Sequence, residues 1–267
     1  MPDFSVVEDT LFVPMLGRIY ASENFPNILM DKKALELKPQ LPKKLKGQDT
    51  QTQYTLMASA VRSTNMDRYI KDFMVRKPEG IIVQLGCGLE TTFFRDDNQK
   101  AVWFEVDLPD VIAYRKKMIG ESDRDKCIAA DAFGEEWIKE VRSIYPTEPI
   151  LVTASGLFYY FEEKTVVNLF KNLNKYGNIE LLFDTVNASG MKRMSKYMEQ
   201  VGHSDASMYF YVDDAKELAD KIGGTVLKEE PYYAHTDKTG LKFMTSMSMR
   251  VSDKCMMVKM IHLGLNQ

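Results

Sequence analysis

The chain is poor in the residues from which small disulfide or metal-centred folds are built. Among 267 residues there are three cysteines, three histidines and two tryptophans. Cys87, Cys127 and Cys255 are widely spaced, odd in number and form no C-x-x-C pair, which excludes a closed disulfide framework and a zinc site of the usual spacing. His203, His235 and His262 are equally dispersed, so no metal is expected. Unpaired thiols point to a reducing, cytoplasmic setting. No apolar run approaches the ~18 residues of a membrane helix. The longest uncharged stretch, 149–161, carries Thr153, Ser155 and Gly156. Met1-Pro2-Asp3-Phe4 does not start a secretory leader. A net charge of −3 without a basic block argues against nucleic acid and leaves a small molecule as the expected partner.

What is present is ordinary globular material, with 45% apolar and 27% charged residues. Against about 150 residues per domain, the length predicts one large domain or one domain with an elaborated flank. The 17 methionines are the less ordinary count.

The first 77 residues read as helical. Ser5 and Glu8 have the spacing of a capping box, and Leu11, Phe12, Met15, Leu16 and Ile19 follow at helical intervals. Pro39, Pro42 and the lysines 43, 44 and 46 mark a loop. Two helices are then expected, over about 50–61 and 65–75, with Arg62 at their junction. From Pro78 the period changes. Short β-rich runs at 81–85, 101–107, 127–131, 150–154 and 179–184 alternate with helical segments, the pattern of βαβ units and a parallel sheet covered on both faces. The rhythm breaks after Asp184. Residues 187–223 read as a helical insertion around Tyr209-Phe210-Tyr211, and two last strands are expected at 225–233 and 256–263, joined by a turn-rich segment. The expected organisation is a single α/β domain. Its Rossmann-like core is 78–186 and 224–267, with a helical cap from 1–77 that 187–223 completes.

The chemistry gathers at the end of the first strand. Gly86-Cys87-Gly88 sits where an open α/β sheet binds ligands, at a strand's carboxyl end. The second strand ends in Asp107, 21 positions after Gly86 (107 − 86), and a carboxylate at that spacing accepts hydrogen bonds from both hydroxyls of an adenosine ribose. Asp107 also reads as a helix N-cap, since Pro109 follows. A dinucleotide site wants a third glycine and an uncluttered helix N-terminus for pyrophosphate. Here Thr91 takes the third position, and Glu90 places an anion where phosphates would lie. The loop therefore favours S-adenosylmethionine, a phosphate-free sulfonium, over NAD. Asp131, ending the third strand, is positioned for the adenine amino group, with the Ala132 amide beside it; read plainly, it is a solvated loop aspartate. Arg62 reads either as a clamp for the cofactor carboxylate or as a surface arginine.

These residues also resemble a known family. The segments Gln84-Leu85-Gly86-Cys87-Gly88-Leu89-Glu90-Thr91-Thr92 and Phe104-Glu105-Val106-Asp107-Leu108-Pro109 are similar to the leucine carboxyl methyltransferase family, in its bacterial polyketide-modifying branch. Asp31 to Ala34, Arg62 with Phe73, and Ala154 to Leu157 with Tyr160 match further segments, so the likeness runs from about 10 to 263. It implies a class I S-adenosylmethionine-dependent methyltransferase fold, Rossmann-like, with seven strands of which the last is antiparallel, and a helical cap. It also implies roles: Arg62 on the cofactor carboxylate, Gly86 and Gly88 along the methionine moiety, Asp107 and Leu108 at the ribose, Asp131 and Ala132 at the adenine. Ser155 stands where the eukaryotic protein-modifying members carry glutamate, a departure that weakens transfer of their peptide specificity and leaves Ser155 as a lesser cofactor contact.

The implied activity is O-methylation of a small molecule, at a carboxylate or hydroxyl of a polyketide-like or aromatic metabolite. A carboxylate acceptor is already ionised at neutral pH and needs no general base, whereas a hydroxyl does. The candidate base is His203 in the expected cap, which reads otherwise as an exposed loop histidine. Candidate acceptor-pocket residues are Tyr20, Tyr160, Met191, Tyr209 and Tyr211, with Phe12, Met15, Tyr159, Met194 and Met198 as further ones. Two other readings stand beside this one: an NAD(P)-dependent reductase, and a cofactor-binding module without turnover.

Overall fold

The computed structural model describes residues 7–42, 51–200 and 208–265. In chain order the elements are α1 (Val7–Asn24), α2 (Lys32–Leu37), α3 (Gln53–Arg76), β1 (Ile81–Leu85), α4 (Thr92–Asp96), β2 (Val102–Asp107), α5 (Pro109–Met118), β3 (Asp125–Ala129), α6 (Glu136–Ile144), β4 (Ile150–Ala154), α7 (Glu163–Asn174), β5 (Ile179–Val186), α8 (Ala188–Gln200), α9 (Ala215–Ile222), β6 (Gly224–Pro231), α10 (Phe243–Lys254) and β7 (Val258–Leu265). The strands form one sheet in the order β3-β2-β1-β4-β5-β7-β6. The first five strands are parallel, and β7 runs antiparallel between β5 and β6. The expected seven-stranded sheet with its last strand reversed is the one observed.

Strand alternation assigns the two faces. Ile81, Val83 and Leu85 of β1 enter one core with Phe104, Val106 and the apolar stripes of α6, α7 and α9. Ile82, Trp103, Leu151 and Leu182 face the other way, against Met57, Val61, Ile70 and Phe73 of α3. Strand order reverses between β1 and β4, and an open α/β sheet holds its ligand crevice at the carboxyl ends of strands flanking that point.

The third strand lies two residues earlier than expected, at Asp125–Ala129, so Asp131 sits in the turn after it rather than ending it, and three further elements differ from expectation. The two helices expected around Arg62 are one helix, α3. Polar residues interrupt its apolar stripe because they bond inward: Arg62 to Asp184, Ser63 to Glu90 and Asn65 to the Tyr232 carbonyl. Helix α9 belongs to the sheet core, where Ala215, Leu218, Ala219 and Ile222 are buried, so 187–223 is not one uniform cap segment. The turn-rich stretch before β7 contains α10, which buries Met249 and exposes Phe243, Met244 and Met247. Among the described residues no helix is long and apolar enough to cross a membrane.

Candidate functional site

The glycine loop is built by backbone geometry. Gly86 and Gly88 hold φ of +62° and +47°, the left-handed region that side chains disfavour. The turn this makes brings the Gly86 and Cys87 amides onto the Val106 carbonyl at 2.9 and 3.2 Å. The Gly88 amide donates to Asp107 Oδ2 at 2.8 Å, and the Leu108 amide to Oδ1 at 2.8 Å. Each Asp107 oxygen keeps further lone-pair capacity, since an ionised carboxylate offers about four acceptor sites. Burial raises the Asp107 carboxyl, while the two amides pull it down. Helix α5 takes Leu108 at its N-cap position without a side-chain cap bond, so Asp107 does not cap it in the usual way.

Beneath the loop, Arg115 of α5 donates through Nη1 to the carbonyls of Gly88 (3.2 Å) and Glu90 (2.6 Å). Its Nη2 lies 3.3 Å from Glu105 Oε1, both side chains being fully buried. Burial pushes the Glu105 carboxyl up to about 8 against the pull of Arg115. Burial likewise keeps Cys87 a protonated thiol, which suits packing rather than nucleophilic attack.

Glu90 does not present a bare anion to the loop. Its carboxylate meets Arg18 at 3.0 Å and Arg95 at 3.1 Å, and accepts from the Thr91 amide at 2.8 Å. Although burial opposes ionisation, the guanidinium groups hold this carboxyl at about 2. Arg18 and Arg95 also meet Asp31 Oδ2, at 3.1 and 2.7 Å, and Arg95 grips both oxygens of Asp67. The loop is thereby tied to α1, α2 and α3.

Around the rim, the Ala130 amide donates to the Asp107 carbonyl at 3.0 Å, placing the β3 end beside β2. Asp131 is exposed and its Oδ1 accepts from the Phe133 amide, while Ala132 is buried with its carbonyl accepting from the Trp137 indole. Past β4 lie Ser155 and Gly156. A Cβ added to Gly86 would stand 2.9 Å from Leu157 Cδ1, and one on Gly156 would stand 2.5 Å from Arg62 Nη1. Gly86, Gly88, Asp107, Leu108, Asp131, Ala132 and Ser155 follow or end the parallel strands β1 to β4 at their carboxyl ends, and Arg62 of α3 reaches them beside Gly156. Asp184, at the end of β5, is the member that sequence reasoning missed. It accepts from Arg62 Nε at 2.9 Å, from the Gly156 amide at 2.7 Å and from the Tyr159 hydroxyl at 2.8 Å. Its place at the carboxyl end of an apolar strand, like that of Asp107, was the available signal.

The acceptor candidates divide. Met191 packs with Tyr159 and Val186, and Met194 and Met208 adjoin them. The Tyr209 amide donates to the Tyr159 carbonyl at 2.7 Å, and Tyr209, Tyr211 and Tyr160 are exposed by 52%, 44% and 36%. Tyr20 is set apart. It accepts from Gln53 Nε2 at 3.2 Å and packs on Phe25, and Gln53 lies roughly 14 Å along α3 from Arg62. Phe12 and Met15 are buried with Leu37, Leu89 and Val111, a packing role. His203 falls outside the described residues, as do Ser5 and the lysines at 43, 44 and 46, and nothing is described of the Met198 side chain. A groove of about 960 Å³ between α2, α3 and α4, lined by Lys33, Arg68, Lys71 and Phe94 among others, contains none of the candidate site residues.

A family model described as leucine carboxyl methyltransferase matches residues 6–174. The chain is 26% identical over 171 residues to the tetracenomycin polyketide synthesis O-methyltransferase TcmP of Streptomyces glaucescens, a match spanning 63% of this chain and 62% of that relative. Among solved structures it resembles a DUF574 family protein of Streptomyces avermitilis (TM-score 0.58, 11% identity, 93% of this chain and 96% of that one). It also resembles the magnesium protoporphyrin IX methyltransferase of Synechocystis, solved with bound S-adenosylhomocysteine (TM-score 0.50, 8% identity, 94% and 98%). The last two likenesses concern the fold, which is that of class I methyltransferases.

Proposed function

The chain belongs to the leucine carboxyl methyltransferase family, and we propose that it is an S-adenosylmethionine-dependent O-methyltransferase acting on a small molecule. The observation that carries this reading is the Asp107 carboxylate, fixed by the Gly88 and Leu108 amides at the carboxyl end of β2 with acceptor capacity left for two ribose hydroxyls. Arg62, held against Gly156, is the group for the cofactor carboxylate. Gly86 and Gly88 leave room for the methionine moiety, Leu108 flanks the ribose, Asp131 and Ala132 serve the adenine, and Ser155 adds a lesser contact. Thr91, where a dinucleotide site has its third glycine, is fully buried with its hydroxyl on Asp31, and the helix that follows spans five residues. Both features favour the phosphate-free cofactor over NAD(P).

The cofactor, when bound, supplies a methyl group activated on a sulfonium. The protein's part is to hold an acceptor oxygen near ~3 Å from that methyl, in line with the sulfur, and to exclude water. Tyr159, Tyr160, Met191, Tyr209 and Tyr211 form the proposed acceptor wall, with helices α1 to α3 and α8 as its cover. The tyrosine- and methionine-rich wall suits an apolar or aromatic acceptor, such as a polyketide-like metabolite, methylated at a carboxylate or hydroxyl. The net charge of −3 disfavours nucleic acid, and three free cysteines fit a cytoplasmic location.

The test is thermal unfolding with S-adenosylmethionine, S-adenosylhomocysteine or NAD. At 100 times Kd a ligand stabilises by ~2.7 kcal/mol. Stabilisation by both sulfur compounds is expected; stabilisation by NAD alone would refute the proposal.

A further inference from the structure

Asp184 gathers three donors from three parts of the chain. Its side chain is fully buried, and both oxygens are engaged. Oδ1 accepts from the Gly156 amide, in the loop after β4. Oδ2 accepts from Arg62 Nε, on α3, and from the Tyr159 hydroxyl, in the short turn over 158–160. Because Nε is taken by Asp184, the opposite edge of the Arg62 guanidinium is fixed. Nη1 and Nη2 lie 2.5 and 3.3 Å from where a Gly156 Cβ would stand. Tyr159 points the other way in function: its ring packs with Val186 and Met191, and its carbonyl receives the Tyr209 amide.

We propose that Asp184 is a positioning residue that aims Arg62 at the cofactor carboxylate and, through Tyr159, couples an occupied cofactor site to the order of the acceptor wall. The inference rests on the reading of Arg62 given above. Its physical basis is that a planar guanidinium offers separate edges, one for an internal carboxylate and one for a ligand. Asp184 is buried with both oxygens engaged, so a shift of any one of its three donors disturbs the contacts of the other two.

The experiment is calorimetric titration of S-adenosylhomocysteine, which binds without turnover, into the wild type, Asp184→Asn, Arg62→Gln and the double variant. Each single substitution is expected to weaken binding at least tenfold, and the double variant to bind within twofold of Arg62→Gln, because Asp184 acts through Arg62. Hydrogen exchange supplies the second readout. In the wild type, saturating S-adenosylhomocysteine protects 155–162 and 208–212; in Asp184→Asn the protection is confined to the glycine loop. Where the asparagine variant does not fold, Asp184→Ser, smaller and still able to accept from Gly156, replaces it. Asp184→Asn binding within threefold of wild type, losses that multiply in the double variant, or unchanged protection of 155–162 would each overturn the inference. A wild type that fails to bind S-adenosylhomocysteine at all overturns the reading of the site itself, which is a separate result.

Discussion

The Gly88 amide lies 2.8 Å from Asp107 Oδ2, so the glycine loop and the carboxylate at the end of β2 form one rigid unit. Removing the carboxylate releases the loop amide as well as the ribose contacts. A hydrogen bond to a charged group contributes about 1.5–3 kcal/mol. Asp107→Ala is therefore expected to weaken S-adenosylhomocysteine binding by roughly tenfold to a hundredfold. Asp107→Asn should lose less, because its amide oxygen still accepts one of the two backbone N–H groups. Equilibrium dialysis of the two variants gives the order; full affinity in the alanine variant would refute the ribose assignment.

Gly156 carries φ +69° and has Arg62 packed against its Cα. Gly156→Ala meets both constraints: a left-handed alanine costs about 1–2 kcal/mol, and the new methyl displaces the guanidinium. The expected outcome is a fall in Tm of several degrees with a larger, at least tenfold, loss of cofactor affinity. A variant that loses Tm and keeps its affinity would separate Gly156 from the cofactor site.

Arg95 joins Asp31, Asp67 and Glu90 in a site that is almost closed to solvent. Arg95→Met leaves Asp31 and Glu90 with Arg18 as their remaining guanidinium and takes from Asp67 the guanidinium that grips both its oxygens. Breaking a buried pair from one side costs about 3–5 kcal/mol. Chemical denaturation should show that loss, and an Asp67→Asn/Arg95→Met double variant should recover part of it, because one stranded charge is removed.

Two groups of carboxylates give the stability curve opposite slopes. Glu90, Glu180 and Glu230 are each held at about 2, below the ordinary 4.5, chiefly against burial, by partners including Arg18 and Arg95, Arg76, and Lys228 with Arg68. Their stabilisation is fully present above pH 4.5 and is lost as pH falls from 4.5 towards 2; for Glu90 it amounts to roughly 3 kcal/mol. Glu105, pushed up to about 8, contributes below pH 4.5 and loses that contribution as pH rises through 8. Glu105→Gln should therefore be close to neutral in Tm at about pH 4.5 and increasingly stabilising relative to wild type as pH rises towards about 9. Equal effects at the two pH values would show that Glu105 is ionised throughout beside Arg115.

Much of this architecture was legible from period and punctuation. The five parallel strands announce themselves as short apolar runs between helical stretches, and Gly86, Gly88 and Asp107 stand out because their roles depend on local geometry. What escaped was tertiary. Arg62, Ser63 and Asn65 look like a helix break until their partners, 122, 27 and 167 residues away, are in place. Asp184 is marked locally by little beyond its place near the end of an apolar strand, since the donors it gathers come from Arg62, Gly156 and Tyr159. Helix α10 was hidden by a mixed stripe, in which Phe243, Met244 and Met247 are the exposed residues and Thr245 and Ser252 are among the buried ones. Glu90 shows how a correct identity can carry an incorrect environment, because the charge read as bare is compensated by Arg18 and Arg95.

The position of β7 bears on how the protein is made. The strand that comes last in sequence lies inside the sheet, so β6 has no partner in the sheet until Val258 to Leu265 arrive between it and β5. During synthesis the parallel half can assemble early, but it presents β5, a nearly wholly buried strand, as an open edge. Such an edge recruits other strands. The interval between translation of β5 and of β7 is thus the time at which a nascent chain most needs protection, and a chain cut short ahead of Val258 remains in that state.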